Sequence, residues 1–346
     1  MSREKSFHLL RTTVALVIAM LAAFAVIFMV SDTPIESIRL FILGPFSKPR
    51  YIGNIINTAI PLIFSGLSMA VVFQASQFNM GAEGIFYFSG AVISLIAIWV
   101  PLPVGVHQVV IILAAAVIGA LIMLIPGYLK AKYGASELVT SLMMNSILLG
   151  LGSYLMTRVL QDPMASNGSY PYLDTAKIPV IIPAFKVHYG LFIALFCVAA
   201  VYVFLYKTKW GYEIRMVGIN AKFATYSGIN IVKTIIIAHL VSGAIAGIGG
   251  SVESIAMHTR FEWNGLPGYG FTGALIAMLA NNNPVSVIYA ALFVAYLSTG
   301  ADIVARLSDV PAEMSTILQS LIILLIASER FLHSFKQRWM ERGIAK

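Results

Sequence analysis

Long apolar runs separated by short polar stretches dominate the pattern of this chain. Ten runs approach membrane-spanning length: 13–31, 55–75, 84–100, 107–128, 137–159, 188–206, 234–256, 267–281, 284–303 and 311–331. A helix needs about 20 apolar residues to cross roughly 30 Å of hydrocarbon, so the eighth run is short. The runs are continuous rather than alternating. That predicts helices and not the strands of a closed barrel, the other structure that satisfies its backbone in lipid. The pattern predicts an all-α, polytopic membrane protein with about ten transmembrane helices. One polar stretch is conspicuous for its length: residues 207–233, KTKWGYEIRMVGINAKFATYSGINIVK, carry six charged residues between two apolar runs.

Composition agrees with this reading. The chain is 59% hydrophobic and 11% charged, with mean hydropathy +0.85, whereas a soluble domain carries about 25% charged residues. A soluble enzyme is excluded, because the charge needed to cover a core of this size is missing. Arg3, Lys5 and Arg11 precede the first run, and Ala23-Phe24-Ala25 mimics a signal-cleavage site. The run nevertheless extends to Val30, long for a signal core, and is read as an uncleaved first transmembrane helix. With the N-terminus inside, Arg39, Lys48, Arg50, Arg158, Lys177, Lys186, Arg260 and Arg306 fall outside, leaving 15 of the 23 basic residues inside. This positive-inside bias puts both termini and residues 207–233 in the cytoplasm. It also accounts for the net charge of +8 without nucleic acid as a partner; membrane lipid is the surrounding partner. Cys197, the single cysteine, reads as a small core or lipid-facing residue.

Two pairs of strings hint at internal duplication. FSGAVI at 88–93 resembles FTGALI at 271–276, each in the third helix of a five-helix half. ASELVTSLMMNSILL at 135–149 resembles PAEMSTILQSLIILL at 311–325, each opening the fifth, with Glu137 opposite Glu313. Five helices per half is odd, so the second copy must run in the opposite sense. The expectation is two inverted five-helix repeats, about 13–159 and 188–331, a design common in transporters.

Polar residues inside apolar runs are costly and tend to be functional. FQASQFNMGAEG, 73–84, joins the second and third helices almost without a loop. Gln77, Asn79 and Glu83 either bond freed backbone groups and line a solute path, or belong to a tight cytoplasmic turn with Glu83 in solvent. Asn145 follows Glu137 by eight residues, on nearly the same helix face, and Gln319 follows Glu313 by six. Such amides suit recognition of a neutral hydroxylated solute and equally suit polar glue between helices. Gly243-xxx-Gly247 reads as close helix packing, and Asn281-Asn282-Asn283-Pro284 as a cytoplasmic turn.

Three function classes compete. An ion-coupled secondary transporter usually carries buried carboxylates or histidines; here the acids cluster near helix ends, which weakens that class. No HExxH, GxSxG or paired-Asp motif supports an intramembrane enzyme. A driven permease is the third class. The chain has no GxxxxGK[ST] phosphate loop, so ATP hydrolysis would belong to another chain, and this one would need a docking surface. Within 207–233, Asn220 is a good N-cap, residues 221–227 can form two helical turns, and Gly228 suits the C′ position. Seven residues are too few for a stable helix alone. Phe223 and Tyr226 share a face, so the segment is a short docking helix or a solvated loop with a frayed turn.

GYEIRMVGINAKFATYSGI, 211–229, resembles the cytoplasmic loop of ABC importer permeases of the branched-chain amino acid, ribose and nucleoside type. FNMGAEG (78–84), GASELVTSLMMN (134–145) and GYGFTGALIAMLANNNP (268–284) resemble further signatures of the nucleoside and simple-sugar branch. The four motifs occur in order over roughly residues 55–330. The resemblance implies a single permease domain over 1–346 that moves nucleosides or related sugars by alternating access in the bacterial cell (inner or plasma) membrane. Branched-chain amino acids or ribose are the alternative solutes. It implies no cofactor on this chain, with ATP and Mg on a partner cytoplasmic ABC ATPase. A second permease subunit, in this branch often a different one, and an extracellular or periplasmic solute-binding protein complete the assembly. Carried onto this sequence, the coupling element spans Gly211 to Gly228, with Glu213, Arg215, Gly218, Asn220, Phe223 and Tyr226 among its positions. Met216 and Phe223 stand where alanine is expected, which puts details of the ATPase contact in doubt. The loop 159–186, with Asp162, Asp174, Lys177 and Lys186, is either a docking surface for the binding protein or a solvated loop.

Overall fold

The computed structural model describes residues 20–21, 24–165 and 168–311, together with 317 and 320. About half of the predicted span 13–31 and most of 311–331, with Gln319, lie outside the described residues. The helices are α1 (Pro34–Leu43), α2 (Pro49–Gln74), α3 (Ala82–Trp99), α4 (Val106–Tyr133), α5 (Glu137–Leu155), α6 (Gly190–Lys207), α7 (Lys209–Ile219), α8 (Ala221–Tyr226), α9 (Ile231–Met257), α10 (Tyr269–Leu279) and α11 (Pro284–Leu307). A π-helical turn, Met156–Leu160, extends α5. Among the described residues seven helices are long and apolar enough to cross a membrane: α2, α3, α4, α5 with its extension, α6, α9 and α11. They coincide with seven of the ten runs. The short eighth run forms α10, an apolar helix of 11 residues. The chain is thus an all-helical polytopic membrane protein.

Three elements depart from the hydropathy pattern. Helix α1 starts at Pro34 with Glu36 in its first turn, a good start signal in a stretch too short to span. Helix α7 occupies Lys209–Ile219, where only α8 was expected; the Thr208 hydroxyl caps it by accepting the Gly211 N–H at 3.2 Å. A two-stranded antiparallel hairpin pairs Val180–Ile182 (β1) with Val187–His188 (β2).

The chain divides into two compact units, residues 1–55 with 293–346, and residues 56–292. In the first, Ile27, Phe41, Leu297, Ala301, Val304 and Val310 form the apolar core. Asp309 accepts the Ser31 hydroxyl at 2.7 Å and the Asp32 N–H. In the second, α9 packs along α3 and α4. A Cβ at Gly119 or Gly243 would run into the backbone of the facing helix, and one at Gly247 would meet the Ala115 carbonyl. The predicted Gly243-xxx-Gly247 contact is therefore real, with α4 as its partner. Asn281 and Asn282 adopt positive φ, and the Asn283 side chain accepts the Val285 N–H at 3.0 Å to start α11, as expected of that turn.

The 161–189 connection is tied to the helix ends rather than solvated throughout. Tyr172, Leu173 and Ile178 donate backbone N–H groups to Thr259, Ala97 and Ile255. The Tyr172 hydroxyl lies 3.0 Å from Ser94 and 2.7 Å from Ser254, and burial pushes its pKa up to about 12. His188 is buried, its Nδ1 accepting the Gly190 N–H at 3.2 Å, and burial lowers its pKa to about 4. Asp174 and Lys177 pair with each other at 2.8 Å.

Candidate functional site

Residues 77–80 between α2 and α3 form neither helix nor strand. In lipid such backbone persists only where protein supplies partners. Helix α5 supplies them from one face, at four-residue spacing. Glu137 accepts the Phe78 N–H at 3.2 Å, Ser141 accepts the Met80 N–H at 3.0 Å, and Asn145 accepts the Gly84 N–H and donates to the Met80 carbonyl, both at 3.0 Å. Lys130 pairs with Glu137 at 2.7 Å. Asn145 therefore acts as a brace, with donor and acceptor both used. Sequence reasoning found Glu137 and Asn145 on this face but missed Ser141, whose signal is its position midway between them.

Glu83 overturns the solvated-turn reading. Its side chain is buried and reaches across to the start of α10. Its carboxylate accepts the Gly268 N–H at 2.5 Å and the Gly270 N–H. Those donors belong to a helix N-terminus, whose first N–H groups have no partner within the helix and which favours negative charge. A Cβ on Gly270 would collide with the Glu83 backbone, so the close approach requires glycine. Asn79 and Gln77 are also buried. Asn79 accepts the Gly81 N–H at 2.7 Å, and Gln77 donates to the Ala75 carbonyl at 3.1 Å. Asn79 Nδ2 and Gln77 Oε1 have no partner among the described residues.

Glu83, in the first turn of α3, keeps to a helix end as expected of the acids, yet it is buried. Glu253, one turn from the end of α9, is buried at 6% exposure, and His239 is buried within α9. Neither was singled out from the sequence, although both fall inside the apolar run 234–256.

The polar stretch 207–233 is helical through most of its length. Gly211 presses α7 against the Phe204 and Leu205 carbonyls. Glu213 lies 3.9 Å from Lys209, and the Arg215 guanidinium stands 4.9 Å from the Tyr206 ring centre. Gly218 meets the Gln74 carbonyl so closely that a Cβ would not fit, and Ser76 donates to the Gly218 carbonyl at 2.8 Å. Asn220 caps α8 by accepting the Phe223 N–H at 3.0 Å. Gly228 follows with φ +79°, as expected of a C′ position. Phe223 and Tyr226 are 54% and 90% exposed, so the aromatic pair of α8 has little cover among the described residues. Among the described residues no cluster of three or more metal-ligating side chains occurs.

Comparison with known proteins completes the picture. The family described as branched-chain amino acid transport system / permease component matches residues 51–327. The guanosine ABC transporter permease protein NupP of Bacillus subtilis is 32% identical over 330 residues, covering 93% of each chain. The glucose ABC transporter permease protein TsgB13 of Haloferax volcanii is 32% identical over 338 residues, covering 92% of this chain and 88% of its own. The nucleoside ABC transporter permease protein NupB of Lactococcus lactis is 28% identical over 340 residues, covering 94% and 92%. A permease of this kind works with an ATPase and a binding protein, and does not itself catalyse ATP hydrolysis. The chain therefore belongs to the family of permease components of the branched-chain amino acid transport system type, as a multi-pass membrane subunit of an ABC importer.

Proposed function

We propose that this chain is the permease through which nucleosides or related sugars cross the membrane by alternating access, paired with a second, different permease subunit. The solute class rests on the guanosine, nucleoside and glucose relatives. A cytoplasmic ATPase docks on the coupling element of α7 and α8, in which Gly211, Gly218 and Gly228 shape the backbone and Glu213, Arg215, Asn220, Phe223 and Tyr226 complete the surface. The observation that carries this docking is the exposure of Phe223 and Tyr226 on a helix capped at both ends. Gln77, Asn79, Glu83 and Asn145 form the wall of the solute path, joined by Gln319 outside the described residues.

Ten spans in two inverted halves, within one permease domain and with both termini cytoplasmic, belong to the same proposal. Reciprocal packing supports the repeat. Helix α9, second in its half, lays Gly250 on the Phe86 carbonyl of α3. Helix α2, second in the other half, lays Ser65 on the Tyr269 carbonyl of α10. Phe86 and Tyr269 differ by 183 positions, the same offset that relates FSGAVI to FTGALI.

The test is uptake of radiolabelled guanosine, glucose, ribose and leucine in cells carrying the whole system, with Arg215→Ala and Phe223→Ala variants. Guanosine or sugar uptake is expected, falling together with ATPase co-purification in the variants. Unaltered uptake and co-purification would sink the docking assignment; leucine uptake alone would overturn the solute class.

A further inference from the structure

We propose that Glu253, with the aromatic rings around Tyr269, is a recognition point for the solute, an inference that rests on the permease reading above. Glu253 lies one turn before the end of α9. Its Oε1 accepts the Tyr269 hydroxyl at 3.0 Å, while Oε2 is buried with no hydrogen-bond partner among the described residues. Among the described residues no cation forms an ion pair with it. A buried acceptor left empty costs free energy that a protein seldom leaves uncompensated, and at membrane depth such groups mark pathways. The nearby Glu83 carboxylate, by contrast, is spent on the α10 backbone. Of the two carboxylates flanking the first turn of α10, only Glu253 keeps an acceptor to offer.

The surroundings specify the ligand chemistry. The Tyr269 ring lies 5.5 Å from Phe86 and 6.5 Å from Trp263, and Trp263 lies edge-on to Phe261 at 5.6 Å. Tyr269 and Trp263 are half-buried and Gly268 is exposed, so part of each ring is accessible. Aromatic faces accept a flat base or the C–H face of a sugar, and the free carboxylate oxygen accepts one N–H or O–H from its edge. A neutral ring solute with a donor edge fits both features. The donor is either a base N–H or a sugar hydroxyl.

Glu253→Gln separates these sources. The amide keeps the acceptor for Tyr269 and places an NH2 donor where the free oxygen was. Uptake of guanosine, purine riboside (which keeps the ribose but has no base N–H) and glucose is measured at sub-saturating concentration. Membrane level and co-purified ATPase serve as the folding check. At least a tenfold loss for guanosine with purine riboside spared assigns the donor to the base; a similar loss for every transported solute assigns it to hydroxyl groups. Wild-type uptake in the variant overturns the proposal. Where Glu253→Gln does not accumulate, Trp263→Leu replaces it, with at least a threefold rise in KM expected and an unchanged KM overturning the site. Failure of the wild-type system to move any of the three refutes the solute class proposed above.

Discussion

Replacing Glu83 by alanine removes both acceptors that hold the start of α10. The Gly270 N–H is buried, so its loss carries the full cost of an unpaired donor, about 1–3 kcal/mol. The Gly268 N–H belongs to an exposed residue, and water recovers part of its bond. The original bonds are charge-assisted, each about 1.5–3 kcal/mol net. Counting the buried Gly270 bond once in full and the Gly268 bond in part gives a destabilisation of about 2–4 kcal/mol for Glu83→Ala. Glu83→Gln keeps one carbonyl acceptor and loses the charge, so about half that loss is expected. Thermal unfolding of the purified protein in detergent or nanodiscs should rank wild type above Glu83→Gln and Glu83→Ala lowest, with a separation of several degrees. A Glu83→Ala protein as stable as wild type would refute the reasoning, because a carboxylate in a solvated turn would be replaced at almost no cost.

Asn145→Ala orphans the Gly84 N–H and the Met80 carbonyl; a loss of about 2 kcal/mol is expected in the same assay, larger than for Asn145→Asp, which keeps the acceptor. Gly243→Val forces α9 off α4, and little folded protein should reach the membrane. Gly150→Ala, with open space around its Cβ, should be neutral or stabilising by up to ~1 kcal/mol, read from membrane level and melting temperature. His188 is buried and its pKa is lowered from 6.5 to about 4, so the folded state prefers the neutral ring. Its contribution is fully present above pH 6.5 and is lost as pH falls from 6.5 toward 4, at up to about 1.4 kcal/mol per pH unit. His188→Gln should flatten the pH dependence of stability in that window; a slope equal to wild type would contradict the burial argument.

Spans and caps were legible because each depends on local chemistry. Hydropathy located α2 to α6, α9 and α11, and Asn220 with Gly228 bounded α8 almost to the residue. Helix α7 was not legible: its residues are too polar to read as a span, and its order comes from contacts with α6 and the end of α2. Glu83 was ambiguous for a related reason. A carboxylate next to a glycine-rich turn looks the same from sequence whether water or a distant helix N-terminus receives it. Its partners are 185 and 187 residues away, and nothing local encodes that separation. Glu253 was not legible either, because the partner that marks it out, the Tyr269 hydroxyl, comes from the next helix.

The same contacts link the proposed docking surface to the proposed solute path. Asn220 closes α7 through its N–H to the Met216 carbonyl at 3.0 Å and caps α8 with its side chain. Helix α7 in turn bears on Gln74 through Gly218, and Ser76 ties the Gly218 carbonyl to the end of α2. Residues 77–80 follow without a hydrogen-bond ladder of their own, so partners on α5 set their shape. Beyond them, Glu83 holds the first turn of α10. A push on α8 therefore meets a short chain of elements whose positions are fixed by side chains from other helices. This explains why a hydrophobic protein keeps polar residues at Glu137, Ser141, Asn145 and Glu83: each satisfies backbone that has no partner in a helix or strand ladder of its own. In the proposed mechanism those bonds are also what makes the start of α10 follow the end of α7.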